Sequence, residues 1–258
     1  MIQLNSTIRL FAHRLSGAGA IPEADIEAFQ DIIGPPIRFD KHDPLVQQGD
    51  RSDVLWLTAI GWALRQRVLP DGRRQISAIL LPGELTDKGI VMPFGATDSV
   101  VAATELWAHA IDRNSFIALL ENRPRLERAL FYEELTRHAV TREWLLLLGQ
   151  RNAKERVAYF FYEIFARLSA MGMLHGNTFT LPLVQSEVAD IVGMSTVHFN
   201  RTLQHFRSLD LVMTDGQKVT LPRPIALAEL AMFDAEIIRI ARDFQARAAM
   251  VSAKFSVK

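Results

Sequence analysis

The hydrophobic rhythm of the chain changes near residue 113. Between residues 35 and 112, short apolar runs alternate with turns. Residues 39–46 lead into Gln47-Gln48-Gly49-Asp50, and 54–69 is broken at Gly61 and ends in Pro70-Asp71-Gly72. Residues 76–81 run into Pro82-Gly83, and 100–111 gives a further strand pair. Asp-Gly between two apolar runs is a strong hairpin signal. Many short strands ahead of any long helix predict a β-sandwich or roll.

Beyond residue 113 the period lengthens. After Pro124, 24 residues pass without a breaker before Gly149. Their apolar positions, Leu126, Leu130, Phe131, Leu135, Val140 and the run from Leu145 to Leu148, cover more than one helical face. Such a helix packs against its own β-domain and a second copy of itself, or else is a single buried helix; periodicity alone does not choose. Residues 155–171 are amphipathic through Val157, Phe160, Phe161, Ile164, Phe165 and Leu168. Two short helical patterns and a hairpin fill 172–224. Residues 226–249 then read as a helix, with Ile237, Ile240, Ala241, Phe244 and Ala248 at helical spacing.

Composition narrows the chemistry. The 258 residues are 49% hydrophobic and 22% charged, with no cysteine. That excludes disulfides, cysteine-ligated zinc, iron–sulfur clusters and thiol catalysis in this chain. No apolar stretch approaches the roughly 18 residues that span a bilayer. Arg9, His13 and Arg14 interrupt the first apolar run, unlike a secretion signal, so a cytoplasmic protein without a membrane partner is expected. The zero net charge hides a split: 16 basic against 19 acidic residues in 1–150, but 13 against 10 in 151–258. Such a split is either a chance fluctuation or a basic head on an acidic body, which would suit a polyanionic partner for the carboxy-terminal part.

That part contains QSEVADIVGMSTVHFNRTLQ, residues 185–204. Two helices crossing closely need a small residue in the first, met by Ala189. The turn needs a residue tolerant of positive φ, met by Gly193. Val188, Val192, Met194, Phe199 and Leu203 occupy the inward positions, and Ser195 suits the N-cap of the second helix. Thr202 is the one departure, since an aliphatic residue would fill its place better. The outward face is then Thr196, Val197, His198, Asn200, Arg201 and Gln204. Arginine there can pair with guanine, while Gln185, Ser186 and Ser195 lie near helix starts suited to phosphate. Residues 211–221 form a hairpin turning at Asp215-Gly216, with Lys218 near the tip, which makes a winged helix. A helical hairpin used for protein contact is the alternative.

Taken together, Gly49-Asp50, Gly61, LPDGRRQI at 69–76, LLPGEL at 80–85, RNAKERVAYFFYEIFARL at 151–168 and LPLVQSEVADIVGMSTVHFNRTLQHFRSLDLV at 181–212 resemble the Crp/Fnr family of transcription regulators. The resemblance runs from about residue 20 to 235. It implies an α+β fold: an amino-terminal, jelly-roll-like β-roll for an effector, a long dimerisation helix and a carboxy-terminal winged helix-turn-helix. The corresponding domains are 1–149, with the dimerisation helix at about 124–148, and 150–258 with a helical extension. The implied partners are double-stranded DNA carrying a palindromic operator, a second copy of the chain and, through loops of the roll, RNA polymerase.

The resemblance also implies where an effector would sit. Members that bind cyclic AMP open a phosphate cassette with Gly-Glu and close it with Arg-Ser. Here Gly83-Glu84, followed by Leu85, fills the opening, but Asp98-Ser99 stands at the close. A carboxylate facing a phosphate repels it, so cyclic AMP is not the expected ligand. Arg73 and Arg74 are the nearby cations that could substitute. Haem would need an axial ligand from His13, His42, His109 or His138, lone histidines of a kind more often found in cores or on surfaces. No cofactor is assigned.

An enzyme is not expected. The strand region has no His-x-His cluster, and H-E-x-x-H, G-x-S-x-G, G-x-G-x-x-G and the P-loop are all missing. The rival readings are a ligand sensor whose winged helix docks a protein instead of DNA, and a β-roll enzyme tethered to DNA.

Overall fold

A computed structural model describes residues 4–15, 19–86 and 95–234. Contacts divide the chain into two units. The first holds residues up to Arg67 and Ser77–Val140; the second holds Val68–Ile76 and Thr141–Asp234.

The first unit begins with two helices, α1 (Leu4–Leu15) and α2 (Glu23–Asp31). Strands follow as β1 (Ile33–Phe39), β2 (Pro44–Val46), β3 (Val54–Ile60), β4 (Ala63–Val68), β5 (Arg74–Leu80), β6 (Ser99–Ala102) and β7 (Leu106–Asp112). They form two antiparallel sheets, ordered β1-β7-β3 and β2-β6-β4-β5. The run expected as one strand at 39–46 is split, because a turn at 41–42 with His42 at φ 77° separates β1 from β2.

Strand alternation sorts the apolar side chains into two cores. Leu106 and Ala108 of β7 join Leu80, Val100 and Ala102 in one. Ile111, on the opposite face, joins Leu55, Leu57 and residues of the helices in the other. His109 lies on β7 too, buried, with its Nδ1–H donating to the Gly34 carbonyl at 2.8 Å.

Helices α3 (Arg113–Asn122) and α4 (Pro124–Gln150) follow the last strand. Asp112 caps α3 by accepting from the Ser115 N–H at 2.8 Å. That hydrogen bond, with the Ser115 hydroxyl, holds its carboxyl below the usual aspartate range. Gly149 does not stop α4, which passes through it to Gln150. Leu126, Ala129 and Leu130 turn into the second core, whereas Phe131 and Leu135 stay exposed.

The second unit is built on α5 (Ala153–Ala170), started by a capping box between Asn152 and Glu155. Asn152 Oδ1 accepts from the Lys154 N–H at 2.9 Å, and Glu155 accepts from the Asn152 N–H at 3.0 Å. After β8 (Thr178–Thr180) come α6 (Gln185–Val192), α7 (Thr196–Ser208), β9 (Met213–Asp215), β10 (Lys218–Thr220) and α8 (Pro224–Leu230). The three strands pair antiparallel in the order β8-β10-β9.

The carboxy-terminal helix expected at 226–249 is corrected over its described start, where it does not run on through 231–234. Helix α8 stops at Leu230, and Met232 takes φ 45°. Arg151 donates to the carbonyls of Ala231 and Met232, and Phe233 packs edge-on against Tyr162 at 4.7 Å. Those carbonyls and that ring are held by tertiary partners rather than by a continuing helix. Ile237, Ile240, Ala241, Phe244 and Ala248 lie outside the described residues.

Candidate nucleic-acid interface

Helices α6 and α7 are joined by the three-residue turn Gly193-Met194-Ser195. Gly193 adopts φ 64°, ψ 49°, and a Cβ added there would lie 2.7 Å from Leu148 Cδ2. The left-handed backbone is what calls for glycine, since the nearby Leu148 methyl is the end of a flexible side chain. Ala189 is buried where the helices cross, and Val188, Val192, Phe199 and Leu203 are buried around it as expected, with Met194 only half-buried. Ser195 accepts from the His198 N–H at 3.3 Å, so its hydroxyl caps α7. Thr202 is buried and donates to the His198 carbonyl at 3.0 Å, which satisfies the hydroxyl that looked out of place in an apolar position.

Three supports were not read from the pattern. Glu187, buried in the first turn of α6, accepts from the Val184 N–H at 2.8 Å; the three-residue spacing between them was its only signal. Arg156 of α5 donates to the Gly193 carbonyl at 3.2 Å, and Arg207 ties α7 to Thr214 of β9. Neither arginine has a distinctive spacing in the sequence.

The held frame leaves Gln185, Ser186, Ser195, Thr196, Val197, His198, Arg201, Gln204 and Lys218 exposed and Asn200 half-buried. At 3.6 residues per turn, Val197, Arg201 and Gln204 form the centre of one stripe, flanked by Thr196, Asn200 and His198. Lys218 opens β10, opposite Asp215 across the wing turn. The arrangement is a convex helix face with cationic, hydroxyl and amide groups pointing away from the core, suited to hydrogen bonding a grooved polyanion.

The cassette residues present a contrast within the first unit. Backbone bonds stitch the segment Gly83 to Thr86 onto β3: the Gly83 N–H donates to the Thr58 carbonyl at 2.8 Å, and Leu85 bridges Leu57. Glu84 is 2% exposed and pairs with Arg14 of α1 at 2.5 Å; Arg14 also lies 4.0 Å from Glu133 of α4. A Cβ added at Gly83, where φ is 82°, would meet Leu10 and Phe11 of α1 within 3.0 Å. Thus α1 lies directly against the Gly83-Glu84 corner. Arg14 was missed, although the helix carrying it was legible from Leu4, Ile8, Phe11 and Leu15 at four- and three-residue spacing.

Asp98 and Ser99 begin the other half. Ser99 pairs with Gln66 of β4, and its hydroxyl accepts from the Gln48 N–H at 3.0 Å. The cations considered as substitutes for the cassette arginine are engaged elsewhere. Arg73 pairs with Asp71 at 2.8 Å, and within the second unit Arg74 pairs with Asp190 at 2.6 Å.

The chain matches two family models. Residues 36–123 match the cyclic nucleotide-binding domain, and residues 155–230 match the Crp-like helix-turn-helix domain. Among curated relatives, it is 28% identical over 213 residues to the transcriptional activatory protein AadR of Rhodopseudomonas palustris, covering 81% of this chain and 87% of that one. It is 27% identical over 179 residues to the transcriptional activator protein FnrL of Cereibacter sphaeroides, covering 67% and 71%. Among solved structures, FixK2 from Bradyrhizobium japonicum superposes with a TM-score of 0.69 at 21% identity, covering 76% of this chain and 96% of that one. Among the described residues, no helix is long and apolar enough to cross a membrane.

Proposed function

This chain belongs to the Crp/Fnr family of transcription regulators and carries its DNA-binding helix-turn-helix, and from that premise we propose that it works as a homodimer reading a palindromic operator. The outward face of α7 carries the proposal: a capped, glycine-turned helix that offers Thr196, His198, Arg201 and Gln204 to solvent. Each α7 enters the major groove at one half-site, the two about 34 Å apart. Arg201 reads a guanine, Thr196 and His198 support it, and Asn200 contacts base or phosphate. Gln185, Ser186 and Ser195 hold phosphates on one side and Lys218 of the wing on the other.

The second copy is favoured by α4. Phe131 and Leu145 are 59% and 67% exposed, and with Leu135, His138 and Arg142 they fall at alternating four- and three-residue intervals. A matching helix covers such a stripe in coiled-coil fashion.

The roll's described residues do not fit cyclic AMP. Asp98 carries the wrong charge, Glu84 is held by Arg14, and α1 backbone lies against Gly83. Activity is therefore set by a different effector or by none. RNA polymerase contacts belong to the loops of the roll, and the protein has no catalytic task of its own.

In vitro selection of genomic DNA by the purified protein, without added ligand, tests this. A palindrome should emerge, with affinity falling steeply as salt rises because bound phosphates release counterions. Failure to enrich any sequence, with and without metabolite pools, from a folded dimer would replace DNA with a protein partner.

A further inference from the structure

Val197 stands out on a face otherwise made of polar groups. It is 71% exposed, in the first turn of α7, while Thr196 and His198 beside it and Arg201 and Gln204 along its stripe are exposed and hydrogen-bonding. An apolar side chain that the protein leaves uncovered gains nothing in the free molecule. On a base edge in the major groove the only methyl is the C5 methyl of thymine; guanine, cytosine and adenine present chiefly donors and acceptors there. Pressed against those, a valine would strip water from a polar edge and return no hydrogen bond. Its branched Cβ also has few rotamers, so little freedom is lost when its methyls are fixed against a flat partner.

Resting on the reading of α7 as the groove-entering helix, we propose that Val197 is a specificity-determining residue that selects a thymine in each half-site through its C5 methyl. Val197 lies four residues before Arg201 on the same stripe, about 6 Å along the helix axis. With base pairs stacked about 3.4 Å apart, the selected thymine is one or two base pairs from the guanine read by Arg201.

The test uses the operator recovered by selection, with each half-site thymine replaced in turn by deoxyuridine, which lacks only the methyl. Wild type should lose about fourfold in affinity at one thymine per half-site, the fold-change expected for one buried methyl-sized group. The V197A variant should bind more weakly but no longer distinguish thymine from uracil at that position. Because the side chain makes the helix surface rather than its core, folding of the variant is checked simply by an unchanged melting curve. If wild type is indifferent to uracil at every position, or if V197A keeps the same uracil penalty, the proposal is overturned while the regulator reading stands. If no operator can be selected at all, it is the regulator reading that fails, and this inference falls with it.

Discussion

The face of α7 and the Gly83-Glu84 corner of the roll both carry groups suited to a charged ligand, but only α7 leaves them open. On α7 the local devices, Ser195 at the cap, Gly193 in the turn and Arg156 behind it, occupy the backbone and leave the side chains of Thr196, His198, Arg201 and Gln204 outward. At the corner, the carboxylate of Glu84 is buried against Arg14, and the surface of Gly83 is covered by α1. An exposed polar face is free to engage a partner from outside, because it is already solvated and forfeits nothing by waiting. A buried carboxylate already paired with the chain's own arginine has its charge answered internally.

Removing Arg14 attacks that contrast most strongly. Arg14→Ala should cost about 3 kcal/mol of stability in urea melts, since it withdraws a cation from a buried carboxylate. A variant as stable as wild type would show that Glu84 is not held in this way. On the open side, Arg201→Ala should leave the melting curve unchanged yet cost about 1–3 kcal/mol in operator binding, with preference relaxed at one base pair per half-site. If sequence preference survived intact in a binding assay on randomised operators, α7 would not be the reading helix.

The frame behind the open face can be tested separately. Gly193→Ala imposes a left-handed backbone on a residue with a Cβ, which costs about 1–2 kcal/mol. It should lower both stability and operator affinity, a combination that Arg201→Ala lacks. The smallest effect is expected at the wing. Lys218→Ala should weaken every sequence alike and reduce the slope of log affinity against log salt by about one, measured by salt titration.

The helix-turn-helix was legible because its determinants are local: a small residue, a glycine, a cap and the inward apolar positions all fall within residues 185–204. The strand region was legible in outline through its turns, while the break at 41–42 escaped although Asp40-Lys41-His42-Asp43 is a polar run of turn-forming type between Phe39 and Leu45. The expected helix at 226–249 is interrupted at 231–234 for a different reason. Helical spacing continues through the sequence, yet Arg151 claims the carbonyls of Ala231 and Met232, and rings of α5 claim Phe233. Periodicity measures what a segment favours alone, and contacts from distant residues can override it.

Cassette and recognition helix divide along the same line. Asp98 in place of an arginine could be read directly, because charge is a property of the residue itself. That Arg14 answers Glu84, or that α1 rests on Gly83, could not be read, because those residues meet only through the packing of Ile8, Phe11 and Leu15 into a core shared with β3 and α4. The sequence by itself determined the order of the elements, the turn and cap that aim α7, and the identity of the side chains on its face, since each depends on neighbours a few residues away. Only the tertiary structure decided which charges are buried and answered within the chain, because burial and pairing are properties of surfaces brought together by folding.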